Sequence, residues 1–238
     1  MGKKSILVAL VLCWNELPYL KNLIPQYQTV CDEIVILDGN STDGTKEGIE
    51  ETKPQKVRFY QREFDQCSKQ FNYGLRKISR DNTWVINITA DELPTTYFFQ
   101  HIRAILDRAD EENVDRIWMS AFHLRGEREI ANEVGGQLRI FRNDQHHFTG
   151  YLDYPHERLH GRFDGHCIKQ PDERFAYVHF RQADPKKIQD WKFIYVEKGV
   201  YSLWDINKRL NHITIPLPES IEYKVNKDLR KHLGWTTT

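Results

Sequence analysis

The first ninety residues alternate between short strand-like runs and longer segments with helical periodicity. The strand-like runs are SILVALVL, EIVILDG, KVRFYQ and TWVINIT, and the helical segments between them are NELPYLKNLIPQYQTV, TKEGIEETK and SKQFNYGLRKIS. A nearly continuous apolar run such as the first is typical of a strand that is buried on both faces of a sheet. Strands and helices that alternate in units this short predict an α/β fold with a mostly parallel central sheet flanked by helices. We expect the first helical segment to be broken near Pro25, which has no backbone N–H to donate.

The pattern changes after Asp91. The segment TTYFFQHIRAILDRADEE predicts a helix, and three later runs predict strands of a mixed or antiparallel part: DRIWMSAFHLRG, GQLRIFRN and FAYVHFR. We expect helices in PKKIQDWKFIYVEKGVYSLWDINKRL, an extended segment in ITIPLPES, and loosely held residues at the end of the chain. Because no Gly/Ser-rich linker separates the two patterns, we interpret residues 1–238 as one domain with a smaller, mixed second lobe.

The composition narrows the class of protein. With 34 Lys and Arg against 34 Asp and Glu, the chain as a whole has no net field to attract nucleic acid or an anionic membrane. Its four cysteines form no Cys-x-x-Cys pair, which indicates reduced thiols rather than a disulfide framework. The apolar run at residues 6–12 follows two lysines like a signal peptide, but it is too short to cross a bilayer. We expect a cytoplasmic protein without a transmembrane segment, and peripheral contact with a membrane stays open.

One short motif predicts a different chemistry. The stretch HERLHGRFDGH at residues 156–166 has the ligand spacing of an H-E-x-x-H-x-x-G-x-x-H zinc protease, in which Glu157 would activate water. Phe163 stands where that motif requires a glycine, and no methionine follows for the downstream Met-turn. Pro155 and Gly161 leave room for little more than one helical turn, whereas the first two histidines must be held on one helix face. Zinc proteolysis is therefore the lesser alternative.

Polar side chains follow three of the predicted parallel strands. The first strand runs into Asn15 and Glu16, the second ends at Asp38 in the turn LDGNSTDGT, and the fourth ends in TADE at Asp91 and Glu92. Because open parallel sheets bind ligands at the carboxyl ends of their strands, these positions predict the functional site. The turn after Asp38 matches neither G-x-x-x-x-G-K-[ST] nor G-x-G-x-x-G, so the two common nucleotide-binding loops are unsupported. A structural alternative exists for each acid, since Asp38 can stabilise its own turn and Asp91 can cap the next helix.

Taken in order, these motifs resemble those of family 2 glycosyltransferases, which have the glycosyltransferase-A fold. The stretch CWNELPYLKNLIPQYQTVCDEIVILDGNSTDGT resembles the start of that family. Further on, KQFNYGL resembles its Q-x-N-x-A helix, WVINITADE its W-V-L-x-L-D-A-D-E strand, LRIFR its strand ending in Phe-Arg, and YPHERLHG a V-H-E-x-L segment of bacterial members that build cell-surface glycans. The resemblance implies a Rossmann-like sheet with a nucleotide-sugar-binding lobe at 1–92, an acceptor and catalytic lobe at 93–200, and a C-terminal extension at 201–238.

The resemblance also implies an activity and a set of residues. The activity is inverting transfer, of the hexosyltransferase class, from a nucleoside-diphosphate sugar to an acceptor hydroxyl. Asp91 and His179 would bind Mg²⁺ or Mn²⁺ at the diphosphate, and Glu157 would be the general base. The implied donor-binding residues are Asn15, Glu16, Asp38, Lys69, Asn72, Thr89 and Ala90. The acceptor stays open between a glycan, a lipid-linked glycan, a protein and a modified nucleic acid.

Two positions depart from the family pattern. Gly39 stands where the family often has a second acid, and Thr89 stands where the first acid of the Asp-x-Asp metal motif is expected. A threonine hydroxyl can hydrogen-bond a ribose but brings no charge to a cation, so dependence on a metal is open. Lys69, Arg139 and Arg142 are alternative candidates for gripping the diphosphate. A sugar-nucleotide-binding protein without turnover therefore stays a second hypothesis. A nucleotidyltransferase usually has a Gly-rich loop with basic residues after the first strand, and the sequence after this first strand does not have that pattern.

Overall fold

The computed structural model describes residues 4–79, 81–143, 147–149, 158–160, 165–169, 172–189 and 214–235. Strands and helices alternate in the first part: β1 (Ile6–Cys13), α1 (Leu17–Val30), β2 (Glu33–Asp38), α2 (Thr45–Thr52), β3 (Val57–Gln61), α3 (Cys67–Leu75) and β4 (Thr83–Thr89). The second part contains β5 (Glu92–Pro94), α4 (Thr96–Glu111), β6 (Val114–Leu124), β7 (Glu129–Arg142), β8 (His147–Thr149), β9 (Arg158–His160), β10 (His166–Ile168), β11 (Ala176–His179), β12 (Thr214–Pro216) and α5 (Lys227–His232). Residues 185–189 are also helical.

One sheet contains strands from both parts of the chain. Its order is β3-β2-β1-β4-β7-β6-β11-β5, with β10 beside β6 and β12 beside β7. The strands β3, β2, β1 and β4 are parallel, β7 is antiparallel to β4 and β6, and β11 is again parallel to β6. The short strands β8 and β9 pair with each other. The predicted α/β fold, parallel at its core and mixed in the later strands, is confirmed. The division into lobes at residues 92 and 200 stays a prediction.

The sequence of β1 explains its place in the middle of the parallel strands. Alternate residues of β1 pack into two different apolar clusters, with Leu7, Ala9 and Val11 in one and Val8 and Leu10 in the other. Side chains of a strand point alternately to opposite faces, so a strand that is covered on both faces needs apolar residues at every position. The run ILVALVLC therefore fits an interior strand and no edge position.

Helix α1 runs from Leu17 to Val30 with Pro25 inside it, so the break predicted near Pro25 is wrong. The proline leaves the carbonyl of Lys21 without a helical donor, and the side-chain amide of Asn226 donates to that carbonyl at 3.4 Å. An interior proline costs a helix about 3 kcal/mol. Burial of large apolar side chains, at about 1.5–3 kcal/mol each, offsets that cost. The buried residues of α1 are Tyr19, Leu20, Asn22, Leu23, Ile24, Tyr27 and Val30.

Helix α3 approaches the parallel strands most closely at Gly74. A Cβ atom at this position would lie 2.4 Å from Cδ1 of Leu10 and 2.7 Å from Cδ1 of Leu37. Those distances are well inside van der Waals contact, so even an alanine would displace β1 or β2 side chains. The glycine of KQFNYGL therefore sets how α3 packs on the sheet.

The end of the chain is held as far as residue 235, in contrast to the expectation of loosely held residues. The side chain of Asn226 caps α5 by accepting from the N–H of Leu229 at 2.9 Å, and Leu229 is buried. The backbone N–H of Asn226 donates to Oδ1 of Asn22 on α1 at 2.8 Å. The ring of Trp235 lies 6.0 Å from the ring of Phe180. Polar contacts to α1 and an aromatic contact to Phe180, the residue after β11, thus fix this segment.

Two further expectations can be compared with the structure. All four cysteines are free thiols, as predicted. Among the residues that the structure describes, no helix is both long enough and apolar enough to cross a membrane.

Candidate active site

The carboxyl ends of β1, β2 and β4 lie side by side and bring predicted site residues together. In the parallel register, Cys13 of β1 pairs with Asp38 of β2, and Leu12 of β1 pairs with Thr89 of β4. The contact with β4 continues beyond the strand, because the N–H of Ala90 donates to the carbonyl of Leu12 at 2.8 Å. The end of β1 is therefore flanked by Asp38 on one side and by the TADE turn on the other.

Asp38 is fully buried, and donors of the protein occupy its carboxylate. It accepts from the N–H of Ser41 at 3.0 Å, from the Ser41 hydroxyl, from Nε2 of Gln61 at 2.9 Å and from Sγ of Cys13 at 3.5 Å. Stabilisation of its own turn, the structural alternative for Asp38, is thus part of its role. A base or ribose that reaches this carboxylate must share or replace one of these bonds. Nothing in the local sequence identifies Gln61 as a partner of Asp38, because only the register of β2 and β3 places the two residues opposite each other.

Asn15 ties the end of β1 to the same turn. Its backbone has a φ of 56°, a left-handed conformation that asparagine tolerates better than most residues. Its side-chain Oδ1 accepts from the N–H of Thr42 at 2.7 Å, and its N–H donates to Oγ of Ser41 at 2.7 Å. Asp43 connects the turn to α1 by accepting from the N–H of Leu17 at 3.0 Å. Asn15 therefore shapes the site, and a direct contact between Asn15 and a donor stays a prediction.

Two exposed aromatic side chains border this turn at Gly39. A Cβ on Gly39 would lie 3.4 Å from Cδ1 of Trp14 and 3.5 Å from Cβ of Phe64. Trp14 is 39% exposed and Phe64 is 41% exposed, which is unusual for side chains of this size. Gly39 is one of the two departures from the family pattern. Because it has no side chain, the aromatic side chains of Trp14 and Phe64 on either side of it stay uncovered.

Glu16 is buried and pairs with a largely buried lysine, Lys187, from the helical segment 185–189. Its other carboxylate oxygen accepts from the N–H of Trp14 at 3.2 Å. Burial raises the pKa of the Glu16 carboxyl, Lys187 opposes the rise and Asp91 adds to it, and the resulting pKa is about 7. Burial lowers the pKa of Lys187, but Glu16 and Asp91 outweigh burial and raise it. No local signal identifies Lys187, because 171 residues separate it from Glu16.

The TADE turn holds Asp91 in a fixed orientation. The hydroxyl of Thr89 donates to Oδ1 of Asp91 at 2.6 Å, so the residue that replaces the first acid orients the second one. Oδ2 of Asp91 lies 3.4 Å from Nε2 of His179 and 3.9 Å from Nε of Arg181. Burial alone would raise the pKa of the Asp91 carboxyl, but the neighbouring His179, Lys187 and Arg181 outweigh burial and hold this pKa well below its usual range. Asp91 is therefore ionised at neutral pH.

Glu92 anchors the same turn to the sheet. One carboxylate oxygen of Glu92 accepts from the N–H of Thr89 at 2.9 Å, and the other pairs with Arg139. Arg139 is buried and also donates to the hydroxyl of Tyr177 at 3.0 Å. Arg142 pairs with Asp110. Arg139 and Arg142 were alternative candidates for binding the diphosphate. In the structure, each of them instead forms an ion pair with a carboxylate of the protein itself.

The two predicted metal ligands, Asp91 and His179, lie together. Nε2 of His179 is a buried atom without a hydrogen-bond partner, although it is 3.4 Å from Oδ2 of Asp91. Adjacent ligands of an octahedral ion with bonds of about 2.1 Å lie about 3 Å apart, so these two atoms are spaced to share one cation. Within the described ranges, no group of three or more His, Cys, Asp or Glu side chains could hold a metal by itself. Oxygen atoms of a diphosphate or of water would have to complete the coordination.

The second ring nitrogen of His179 contacts His123, a residue that the sequence did not single out. The two Nδ1 atoms are 3.1 Å apart, because His123 and His179 are direct partners in the parallel β6–β11 register. Burial lowers the pKa of His123, and the neighbouring His179, Arg181 and Arg139 lower it further, to about 3. His123 is thus a neutral imidazole at physiological pH.

Two predicted donor ligands lie on α3. The side chain of Lys69 is 58% exposed, and its ammonium pairs with Asp65 at 3.2 Å rather than with a residue of the strand ends. Asn72 is half-buried on the same helix. The roles of Lys69 and Asn72 in donor binding stay predictions.

The predicted general base, Glu157, lies outside the described residues, as does the neighbouring His156. The described part of HERLHG is backbone: Arg158–His160 form β9, which runs antiparallel to β8. A zinc protease needs both histidines of H-E-x-x-H on one helix face. A strand over three of these five residues therefore argues against the protease alternative.

Comparison with solved structures finds matches of different extent. The crystal structure of S. aureus TarS 1-349 has a TM-score of 0.52 at 14% identity, over 87% of this chain and 69% of that chain. Glucosyl-3-phosphoglycerate synthase from Mycobacterium tuberculosis, in complex with Mn²⁺, uridine-diphosphate and glucosyl-3-phosphoglycerate, has a TM-score of 0.40 at 18% identity, over 50% of this chain and 44% of that chain. A 4-diphosphocytidyl-2C-methyl-D-erythritol synthase has a TM-score of 0.41 at 10% identity, over 58% of this chain and 76% of that chain. The chain thus spans less than half of the glucosyl-3-phosphoglycerate synthase.

Comparison of sequences identifies the family. None of the curated protein sequences matches this chain. The sequence profile described as Glycosyl transferase family 2 matches residues 9–161, which include the ends of β1, β2 and β4 and the TADE turn. The match covers well over half of the chain, and the fold agrees with it. The chain therefore belongs to glycosyl transferase family 2 and has the α/β fold of the glycosyltransferase-A type.

Proposed function

We propose that this protein is an inverting glycosyltransferase that moves a sugar from a nucleoside-diphosphate sugar to an acceptor hydroxyl. The observation that carries the proposal is the arrangement of Asp38 and Asp91 at the ends of β2 and β4, with His179 of β11 3.4 Å from Asp91, in a chain of glycosyl transferase family 2. Ligands of open α/β sheets bind at this edge. The buried, ionised Asp91 is the kind of group that a cation-assisted transfer requires.

The donor nucleotide would bind across the ends of β1, β2 and β4. Asp38 is the acceptor for a base or ribose, and the aromatic surfaces of Trp14 and Phe64 beside Gly39 offer a base a face for stacking. The diphosphate would lie near Asp91, where the positive charges of Lys187 and Arg181 are close enough to lower the pKa of the Asp91 carboxyl. These two cations, rather than Lys69, are the best-supported partners for its negative charge.

Asp91 and His179 would hold a divalent cation, Mn²⁺ or Mg²⁺. The support is the 3.4 Å separation between a carboxylate oxygen and a buried imidazole nitrogen that has no hydrogen-bond partner. A mixed oxygen and nitrogen pair suits Mn²⁺ better than Mg²⁺, which prefers oxygen ligands throughout. When bound, such a cation offsets the charge that develops on the departing nucleoside diphosphate.

Glu157 would take the proton from the acceptor hydroxyl. The freed acceptor oxygen then forms a bond to the anomeric carbon while the bond from that carbon to the diphosphate oxygen breaks, and the configuration inverts. The base must lie on the side of the sugar opposite the leaving group. Because Asp38 and Asp91 belong to the donor side, the base has to come from the second half of the chain, where Glu157 is the residue that the family resemblance implies.

Calorimetry with a panel of nucleoside diphosphates, in Mn²⁺ and in chelator, tests the proposal. We expect one nucleotide to bind, Mn²⁺ to tighten its binding, and Asp91→Asn to abolish that gain. A ligand at 100 times its dissociation constant should also stabilise the fold by about 2.7 kcal/mol. Asp172→Asn, which removes a carboxylate from an exposed pair with Arg174, is the control and should behave as wild type. Failure of every nucleotide to bind folded wild-type protein would contradict the donor assignment.

A further inference from the structure

Four polar side chains form a continuous row that ends at the predicted cation site. Nδ1 of His123 contacts Nδ1 of His179 at 3.1 Å, Nε2 of His179 lies 3.4 Å from Oδ2 of Asp91, and Oδ1 of Asp91 accepts from the hydroxyl of Thr89 at 2.6 Å. Three of these residues were expected at the site from the sequence. His123 was not, and the reaction proposed above gives it no role.

The distances restrict where the protons of this row can be. Two ring nitrogens 3.1 Å apart form a hydrogen bond only if one carries a proton and the other accepts it. If His123 were the donor, a neutral His179 would carry its own proton on Nε2 and point it at Asp91. Nε2 of His179, however, lies 3.4 Å from Oδ2 of Asp91 without the geometry of a hydrogen bond. The alternative is that Nδ1 of His179 donates to His123, which leaves the lone pair of Nε2 directed towards Asp91.

We propose that His123 is a positioning residue for the cation site. Its Nδ1 accepts the Nδ1–H of His179 and thereby holds the tautomer and ring orientation in which Nε2 of His179 can bind a divalent cation together with Asp91. Histidines that bind metals usually donate their other ring N–H to a carboxylate, a carbonyl or water, and here a second imidazole takes that place. The inference rests on the proposed function, because it concerns the same cation site.

The backbone around this row is fixed independently of any ligand. His123 and His179 are directly opposite each other on the adjacent parallel strands β6 and β11, so their side chains lie on the same face of the sheet. The N–H of Phe180 donates to the backbone carbonyl of Asp91 at 2.9 Å, which ties the end of β11 to the TADE turn. A ring held by a hydrogen bond on strands of this kind is preorganised for binding, and loss of that bond leaves the ring free to turn.

Binding of Mn²⁺ to the full chain, followed by electron paramagnetic resonance, tests the inference without reference to turnover. His123→Phe keeps an aromatic ring but removes the acceptor, and we expect it to weaken Mn²⁺ binding by about 10- to 100-fold, the usual effect of losing such a partner. His123→Asn returns an acceptor oxygen close to the position of Nδ1 and should restore most of the affinity. The control is His101→Phe, because Nδ1 of His101 contacts the carbonyl of Tyr97 on α4, outside the row, at 2.9 Å.

Nitrogen-15 NMR of the metal-free protein gives a second readout. We expect His179 in the wild type to carry its proton on Nδ1, and a mixture of tautomers in His123→Phe. A wild-type His179 protonated on Nε2 alone would overturn the inference even if His123→Phe does not fold. Equal Mn²⁺ affinity in folded His123→Phe and wild type would also overturn it, while the proposed cation site would stand. If the wild type binds no Mn²⁺ with or without a nucleoside diphosphate, the cation site fails and the inference fails with it, whereas nucleotide binding in chelator would still support the transferase.

Discussion

The ammonium group of Lys187 pairs with the carboxylate of Glu16 at the end of β1, across 171 residues of sequence. Asp91 raises the pKa of the Glu16 carboxyl and the pKa of Lys187, and Lys187 in turn lowers the pKa of the Asp91 carboxyl. The Glu16–Lys187 pair and Asp91 therefore interact electrostatically, and Arg181 lies 3.9 Å from Asp91. Glu16, which the family resemblance implies as a donor ligand, depends on a distant lysine for its charge.

Lys187→Met should destabilise the fold more at pH 8 than at pH 5. The change leaves Glu16 buried without its cation, and loss of one partner of a buried pair costs about 3–5 kcal/mol. The folded pKa of Glu16, about 7, is already above its unfolded value, and loss of Lys187 raises it further. Stability linked to such a group is present below the unfolded pKa and is lost as the pH rises through the folded pKa. Urea denaturation at the two pH values measures the difference. The double variant with Glu16→Gln should recover most of the loss, and an equal loss at both pH values would contradict the assignment.

Asp184→Asn should lower the free energy of unfolding at pH 7 by about 2–3 kcal/mol, because a buried carboxylate with several donors is replaced by an amide. Asp184 is buried and accepts from the hydroxyl of Tyr19 at 2.6 Å, from Nε2 of His232 at 3.0 Å and from the N–H of Lys186 at 2.9 Å. Burial would raise the pKa of the Asp184 carboxyl, but the bonds from His232 and Tyr19 outweigh burial and lower it.

The effect of Asp184→Asn should depend on pH with the opposite sign to that of Lys187→Met. A carboxyl whose folded pKa is depressed contributes stability above its unfolded pKa, and that stability is lost as the pH falls through the folded value. The cost of the substitution should therefore shrink below about pH 4. Denaturation curves at neutral and acidic pH measure it, with Asp107→Asn at an exposed position of α4 as the control. A cost that stays constant down to acid pH would mean that the charge of Asp184 is not what stabilises the fold.

Asp38→Asn should weaken nucleoside-diphosphate binding by about 10- to 100-fold, since hydrogen bonds to a charged acceptor contribute about 1.5–3 kcal/mol. The matched control is Asp43→Asn in the same turn, because Asp43 accepts from the backbone N–H of Leu17 and has no predicted contact with the donor. Asp43→Asn should change stability but leave nucleotide affinity nearly as in wild type. Calorimetry on both folded variants decides, and unchanged affinity in Asp38→Asn would remove Asp38 from the donor site.

Glu157→Gln should leave donor affinity nearly intact and lower turnover by at least ~10²-fold, which is the scale of losing a general base. The glutamine keeps the size of the side chain but cannot accept the acceptor's proton. Asp153, which lies in the same segment of the sequence as Glu157 and outside the described residues, is the rival candidate for the base, so Asp153→Asn is measured in parallel at saturating donor. If Asp153→Asn is the damaging change and Glu157→Gln retains most activity, the roles of the two residues must be exchanged.

The sequence alone determined the parallel half of the fold and which acids follow its buried strands. The alternation of apolar runs and helical segments predicted β1 to β4, because burial on both faces of a strand leaves a local pattern that can be read residue by residue. Asp38 and Asp91 were found for a related reason, since each immediately follows a buried strand. The error at Pro25 has a tertiary cause. The cost of the proline is local and can be read from the sequence, but the packing of α1 and the hydrogen bond from Asn226 to Lys21, which offset that cost, come from the rest of the fold.

Only the tertiary structure decided which distant side chains meet at the site. The pairs Glu16–Lys187, His123–His179 and Glu92–Arg139 join residues that are far apart in the sequence, and the strand order and the β6–β11 register bring the two histidines together. Neither order nor register leaves a trace in the spacing of residues along one strand. A buried charge or a ring nitrogen depends on whichever partner the fold brings within hydrogen-bond distance, so the partners of these groups could be identified only once the strands were in place.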